Sequence, residues 1–155
     1  MAETSHAKAG ARAGRQRSPL RQAADEQGIV LTQMLIVADS ERSVRFYRDV
    51  LGATVVRDQA PAMLRFYNGW IVINTGGGPT PDKPDVTLEP PHDPSLVSAF
   101  LNVRVSDIAA VYRDWSSRGA QFITEPLDNH GAELRCYLRD PDGYLIEVGQ
   151  TLAQA

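Results

Sequence analysis

From Ile29 onward, short apolar runs alternate with amphipathic stretches, and the order of the two repeats. "IVLTQMLIV", Ile29 to Val37, has the length and composition of a buried strand. Asp39 or Ser40 then offers a helix cap; Val44, Tyr47 and Leu51 recur at helical spacing, and Gly52 supplies the stop. "ATVVRDQ" and "AMLRFY" have strand character, and Asn68-Gly69 marks a hairpin turn before "WIVINT". The order is strand, helix, strand, strand, strand.

The same order begins again at "AFLNVRVSD", a strand that ends in a capping Asp107. "IAAVYRDWSSRG" sets Ile108, Val111, Tyr112 and Trp115 on one helical face before Gly119. "AQFIT", "ELRCYLRD" and "YLIEVGQ" follow as strands, with a turn at Pro141-Asp142-Gly143. Superposing Asp39 on Asp107 matches Val37 with Val105, so the chain carries an internal duplication of a βαβββ module. The fold class is α+β: module one at 29–76, module two at 97–152, forming a curved mixed sheet cup with helices on its outer face. The connector, 77–96, belongs to a stretch with six prolines and three adjacent glycines. It reads as a loop with a short strand at "DVTLE", and serves as a lid or as a tether.

Residues 1–28 are rich in Ala, Gly, Arg and Gln and poor in aliphatic side chains, which predicts a mobile arm with a marginal helical turn at "SPLRQAADEQ". Residues 29–152 then make one domain. The net charge of −3 gives no basic footprint for nucleic acid. One cysteine, Cys136, excludes an internal disulfide and fits a reducing compartment. No apolar run approaches a membrane span, and the N-terminus has no apolar secretory stretch, so a cytoplasmic protein without membrane partners is expected.

Candidate chemistry starts at Glu147, a carboxylate inside the apolar run "YLIEVGQ". Such a charge costs several kcal/mol unless it is paired. A three-residue turn at 141–143 with Gly143 left-handed places Tyr137 opposite Glu147 and Arg135 diagonally beside it as countercharge. A two-residue turn would pair Glu147 with Cys136 instead. Strand alternation adds Leu145, Thr32, Met34, Phe100, Asn102 and either Trp70 or Ile71 to the same face. Apolar walls around an Arg–Glu–Tyr cluster suit a small organic ligand with a polar or anionic end; the bland alternative is an ion pair that satisfies only itself. Tyr47, Tyr112 and Trp115 are core residues by spacing, and Cys136 a small buried hydrophobe.

"LIVADSERSVRFYRDVLG" and "LRDPDGYLIEVGQ" resemble the glyoxalase, bleomycin-resistance and extradiol-dioxygenase (vicinal oxygen chelate) superfamily over about residues 30–151. The resemblance implies a divalent metal held by a His on the first strand of each module and a Glu on the last. Glu147 falls on the last position, but the histidine positions are Thr32 and Phe100, and the fourth ligand position of related lyases falls on Ile73 or Asn74. Gln33 lies one residue out of register, on the opposite strand face. Of the histidines, His6 lies in the arm, and His92 and His130 lie in loops; either of the latter two with Glu147 is the remaining route to a metal site. The resulting expectation is a homodimeric, cofactor-free binding protein. Its ligand residues would be Thr32, Met34, Trp70, Phe100, Asn102, Arg135, Tyr137 and Glu147. The alternative is a lyase, isomerase or dioxygenase with Glu147 as general base or metal ligand and Tyr137 beside it as oxyanion partner.

Overall fold

The computed structural model describes residues 28–152 together with Leu20 and Ala24, so the expected arm and its helical turn lie otherwise outside the described residues. The chain divides into two compact units, Met1–Val30 and Leu31–Ala155, and the strands and helices below lie in the second. They are β1 (Gln33–Ile36), α1 (Ser40–Arg45), β2 (Thr54–Arg57), β3 (Ala62–Phe66), β4 (Gly69–Asn74), β5 (Leu101–Arg104), α2 (Ile108–Ser117), β6 (Leu127–Asn129), β7 (Glu133–Arg139) and β8 (Leu145–Thr151). No helix among the described residues is long and apolar enough to cross a membrane.

Two four-stranded mixed sheets result, ordered β1-β4-β3-β2 and β5-β8-β7-β6. In each, the first strand of the module runs parallel to the last, and the remaining pairings are antiparallel. The duplication extends to atomic detail. Asp39 caps α1 by accepting from the Arg42 N–H, and Asp107 caps α2 by accepting from the Ala110 N–H. Val37 N donates to Asn74 O in one half, and Val105 N to Gly149 O in the other.

One hydrophobic cluster joins both modules. Val44, Tyr47 and Leu51 from the first helix and Ile108 and Trp115 from the second meet Leu64, Ile71, Ile73, Leu138, Ile146 and Val148 from the sheets. Tyr112 packs at its border, where its ring meets Phe122 at 4.7 Å. Alternation along the strands therefore turns the even positions of β1 and β5 and the odd positions of β7 and β8 away from the core.

Several local expectations shift. The first helix passes into a π-helical turn, Phe46–Val50, before Gly52 ends it at φ +81°. The β3–β4 hairpin turns on Tyr67-Asn68, not Asn68-Gly69, because Gly69 pairs with Phe66; Tyr67 takes the positive φ, 51°. "AQFIT" forms only an isolated bridge between Phe122 and Leu138, and the edge strand is β6, in the segment read as a loop. "DVTLE" is not a strand either. It contributes one bridge, Leu88 to Gly77, which folds the connector back on itself. Gly76 allows that fold, at φ +78°, because a Cβ there would run into the Leu88 carbonyl and Ile36.

Candidate functional site

The three-residue turn forms as expected: Asp140 N donates to Tyr144 O, Gly143 sits at φ +92°, and Tyr137 lies directly opposite Glu147. Glu147 is only 4% exposed, yet both its oxygens are served. Tyr137 Oη donates to Oε2 at 2.7 Å, and Asn102 Nδ2, from the paired position on β5, donates to Oε1 at 2.7 Å. The hydrogen bond to Glu147 holds the Tyr137 phenol above its ordinary pKa, so it keeps its proton.

The countercharge differs from the expected one. Arg104 Nη1 lies 3.6 Å from Glu147 Oε1, while Arg135 turns to Glu133, its Nε 3.2 Å from Oε1. Arg104 also donates from Nη2 to Glu133 Oε2 at 2.7 Å and to Thr151 Oγ1 at 2.9 Å. It must cross β8 to do so, and Gly149 is where it crosses: a Cβ there would stand 2.8 Å from the guanidinium carbon. Gly149→Ala should therefore push the guanidinium aside without altering its charge. Arg104 now holds Glu133 below the usual carboxylate range, so an NMR titration of the variant should show Glu133 returning upward. An unchanged Glu133 would mean that Arg104 does not depend on the missing side chain.

A cavity of about 990 Å³ opens where the edge strands β1 and β5 approach each other. Phe66, Tyr67 and Trp70 supply aromatic wall, Val103, Val105 and Val111 aliphatic wall, and Thr32, Asn102 and Ser106 polar groups. Arg65 stacks on the Trp70 ring, 5.0 Å from its centroid. Of the expected ligand residues, the cavity thus gathers Thr32, Trp70 and Asn102, with Ile71 and Gln33 also in its lining. Tyr137, Glu147 and Arg135 lie on the sheet face that Asn102 shares but do not line the cavity. Met34 and Phe100 are exposed and do not line it either. This cavity therefore does not gather all eight residues.

The "DPDGY" turn does more than reverse the chain. Asp142 accepts from Ala38 N and Arg42 Nη2, each at 2.8 Å, and from Ser43 Oγ at 2.9 Å. Tyr144 Oη donates to Ile36 O at 3.0 Å and accepts from Ile36 N at 3.2 Å, closing the outer edge of β1. Asp140, buried, accepts from Tyr47 Oη and from the Asp142 and Tyr144 amides. The sequence carried one signal for this clasp: two acids flanking Pro141 ahead of a tyrosine, more polar groups than a turn requires.

β1 sets Met34 opposite Val72 as β5 sets Asn102 opposite Glu147, so the module-one counterpart of Glu147 is Val72, and neither Ile73, buried in the core, nor Asn74 holds the fourth metal-ligand place. Thr32 and Phe100 occupy the other two, beside the hydrogen-bonded Glu147. His92 Nε2 bonds Glu89 at 2.6 Å, and His130 sits exposed in the β6–β7 turn at φ 56°. Among the described residues, no group of three or more His, Cys, Asp and Glu side chains converges on one point. Cys136 is buried, and burial lifts its thiol to about 11.

A family model described as Glyoxalase/Bleomycin resistance protein/Dioxygenase superfamily matches residues 29–148. A probable lactoylglutathione lyase of Synechocystis is 26% identical over 130 residues, which is 79% of this chain and 95% of that protein. Among solved structures, a glyoxalase/bleomycin resistance protein/dioxygenase of Alicyclobacillus acidocaldarius superposes with a TM-score of 0.65 at 16% identity, covering 81% of this chain and 92% of that one. One from Nocardioides gives 0.62 at 19% identity, covering 87% and 95%. At these identities the structural likeness shows the fold alone.

Proposed function

The chain belongs to the Glyoxalase/Bleomycin resistance protein/Dioxygenase superfamily, and within it we propose a cytoplasmic, homodimeric, metal-free binding protein. It would hold a small organic molecule in the cavity between β1 and β5. The observation that carries this reading is the cavity itself, with aromatic and aliphatic walls and a few polar groups at its sides, the composition of a small-molecule site. The donor set supports the absence of a metal: a hydroxyl, a benzene ring and the isopropyl group of Val72 are poor company for a transition ion that prefers imidazole. The one carboxylate, Glu147, already accepts from Asn102 and Tyr137. Those same bonds weigh against Glu147 as a general base, which must reach a substrate proton.

Calorimetric titration with zinc, nickel and manganese should show no saturable binding. N-phenyl-1-naphthylamine, a neutral dye, should bind once per chain and more weakly to Trp70→Ala. Stoichiometric metal that disappears in Glu147→Gln would sink the proposal, and so would a dye that ignores Trp70.

A further inference from the structure

The two halves of the fold treat equivalent places differently. In module one the outer edge of β1 is closed by the clasp: Tyr144 Oη serves both backbone groups of Ile36, and Asp142 serves Ala38 N, Arg42 and Ser43. The register that matches Asp39 with Asp107 matches Ile36, Ala38, Arg42 and Ser43 with Arg104, Ser106, Ala110 and Val111. All four of those counterparts line the cavity. The space that the β7–β8 turn fills in one half is the open cavity in the other.

The hairpin that would fill it is β3–β4, and its turn also lies in the cavity wall. Its tyrosine, Tyr67, sends its hydroxyl to Leu51 O instead, at 3.4 Å. Meanwhile Val105 N faces β8, where it donates to Gly149 O. Backbone alternation in the parallel ladder then aims the N–H and C=O of Arg104 at the opposite side, toward the cavity. Among the described residues, neither these two groups nor Ser106 N has a hydrogen-bond partner.

We propose that this cavity binds a neutral phenol, whose hydroxyl takes at Arg104 the place that Tyr144 Oη holds at Ile36: donating to the carbonyl and accepting from the N–H. The ligand class rests on the binding reading above and narrows it. The ring would lie against Phe66, Val105 and Val111, and a neutral acceptor on the same ligand would meet Ser106 N. Neutrality follows from the substitutions between halves. The cation and hydroxyl that compensate the Asp142 carboxylate, Arg42 and Ser43, are Ala110 and Val111 here. The Arg104 guanidinium lies across β8, where Glu133 already holds it.

The test displaces N-phenyl-1-naphthylamine with 4-ethylphenol, 4-ethylanisole, 4-hydroxyphenylacetamide and 4-hydroxyphenylacetate. Methylation removes the hydrogen that donates to the Arg104 carbonyl and sets a methyl group against it, which predicts that the phenol competes at roughly tenfold lower concentration than its methyl ether. The amide should outcompete the carboxylate, and the Arg104 amide resonance should move with the phenol and not with the ether. Ala110→Trp, which fills the cavity, should exclude the dye while the protein stays folded by circular dichroism. If the dye binds and Ala110→Trp excludes it, yet phenol and ether compete equally or the Arg104 amide stays still, the phenol assignment is wrong and the binding reading survives. A carboxylate that wins over the amide also overturns it. If the dye does not bind wild-type protein, or binds Ala110→Trp unchanged, both readings fall together.

Discussion

Replacing Asp142 with alanine should lower the unfolding free energy by about 3 kcal/mol, because it strips the partner from a buried hydroxyl and removes two charge-assisted hydrogen bonds. The Asp142 side chain is 2% exposed, and Ser43, which donates to it, is fully buried. Ala38 N would also lose its acceptor, though Ala38 is exposed and water can replace part of that bond. Each buried donor left unpaired costs about 1–3 kcal/mol. Arg42 adds little to the loss, because its side chain is 44% exposed and water can take over. For a domain of this size the midpoint of thermal unfolding should fall by roughly 10 °C. Asp142→Asn keeps an acceptor for Ala38 N and should lose about 1 kcal/mol. Chemical denaturation of both variants, with Ser43→Ala as the third corner of a double-mutant cycle, measures the coupling. A loss under about 1 kcal/mol for Asp142→Ala, or full additivity with Ser43→Ala, would show that the clasp does not hold the modules together.

The parts legible in the sequence are those set by neighbours along the chain. Asp39 and Asp107 cap helices because a short acid ahead of a periodic apolar stretch can reach the first-turn amides, which needs no tertiary information. Gly143 fixed the length of its turn, and with it the pairing of Tyr137 with Glu147, for the same reason. Parity likewise put Asn102 on the face of Glu147. The choice between Arg104 and Arg135 was not local: both lie on that face, and the selection depends on Gly149 leaving room across β8. That glycine stands opposite Arg104 in the register, so the signal existed once β5 and β8 were paired. "AQFIT" failed as a strand because its apolar pattern reports burial against Tyr112 and Leu138, not a ladder. The cavity was invisible because it arises from how two edge strands approach, which no periodicity encodes.

The asymmetry of the clasp also decides what the polar residues are for. Glu147, Asn102 and Tyr137 satisfy one another on a sheet face, whereas among the described residues the Arg104 backbone groups and Ser106 N at the edge of β5 have no partner. A binding site needs partners left over after folding, and those lie at Arg104 and Ser106 more than at Glu147.

Asp140 provides the second large effect, and its sign depends on the substitution. Burial holds this carboxyl above the usual aspartate range. Its stabilising contribution is therefore complete below the unfolded value of roughly 3.9 and is lost as pH rises through the raised folded value. At neutral pH the ionised form is a cost that a neutral isostere avoids. Asp140→Asn can still accept from the Asp142 and Tyr144 amides, and its Nδ2 can donate to Tyr47 Oη, so it should be at least as stable as the parent at pH 7. Its advantage should grow as pH rises from the acid side, because only the parent pays the ionisation. Asp140→Ala leaves the buried Tyr47 hydroxyl and two amides without an acceptor and should lose about 3 kcal/mol at acid pH and less at neutral pH, where it too escapes the ionisation cost. Urea unfolding of the three proteins at acid and neutral pH reads both trends. If the asparagine variant were as unstable as the alanine variant, the negative charge itself would be what the Tyr47–Asp140 contact requires, and burial would not be the dominant influence on this group.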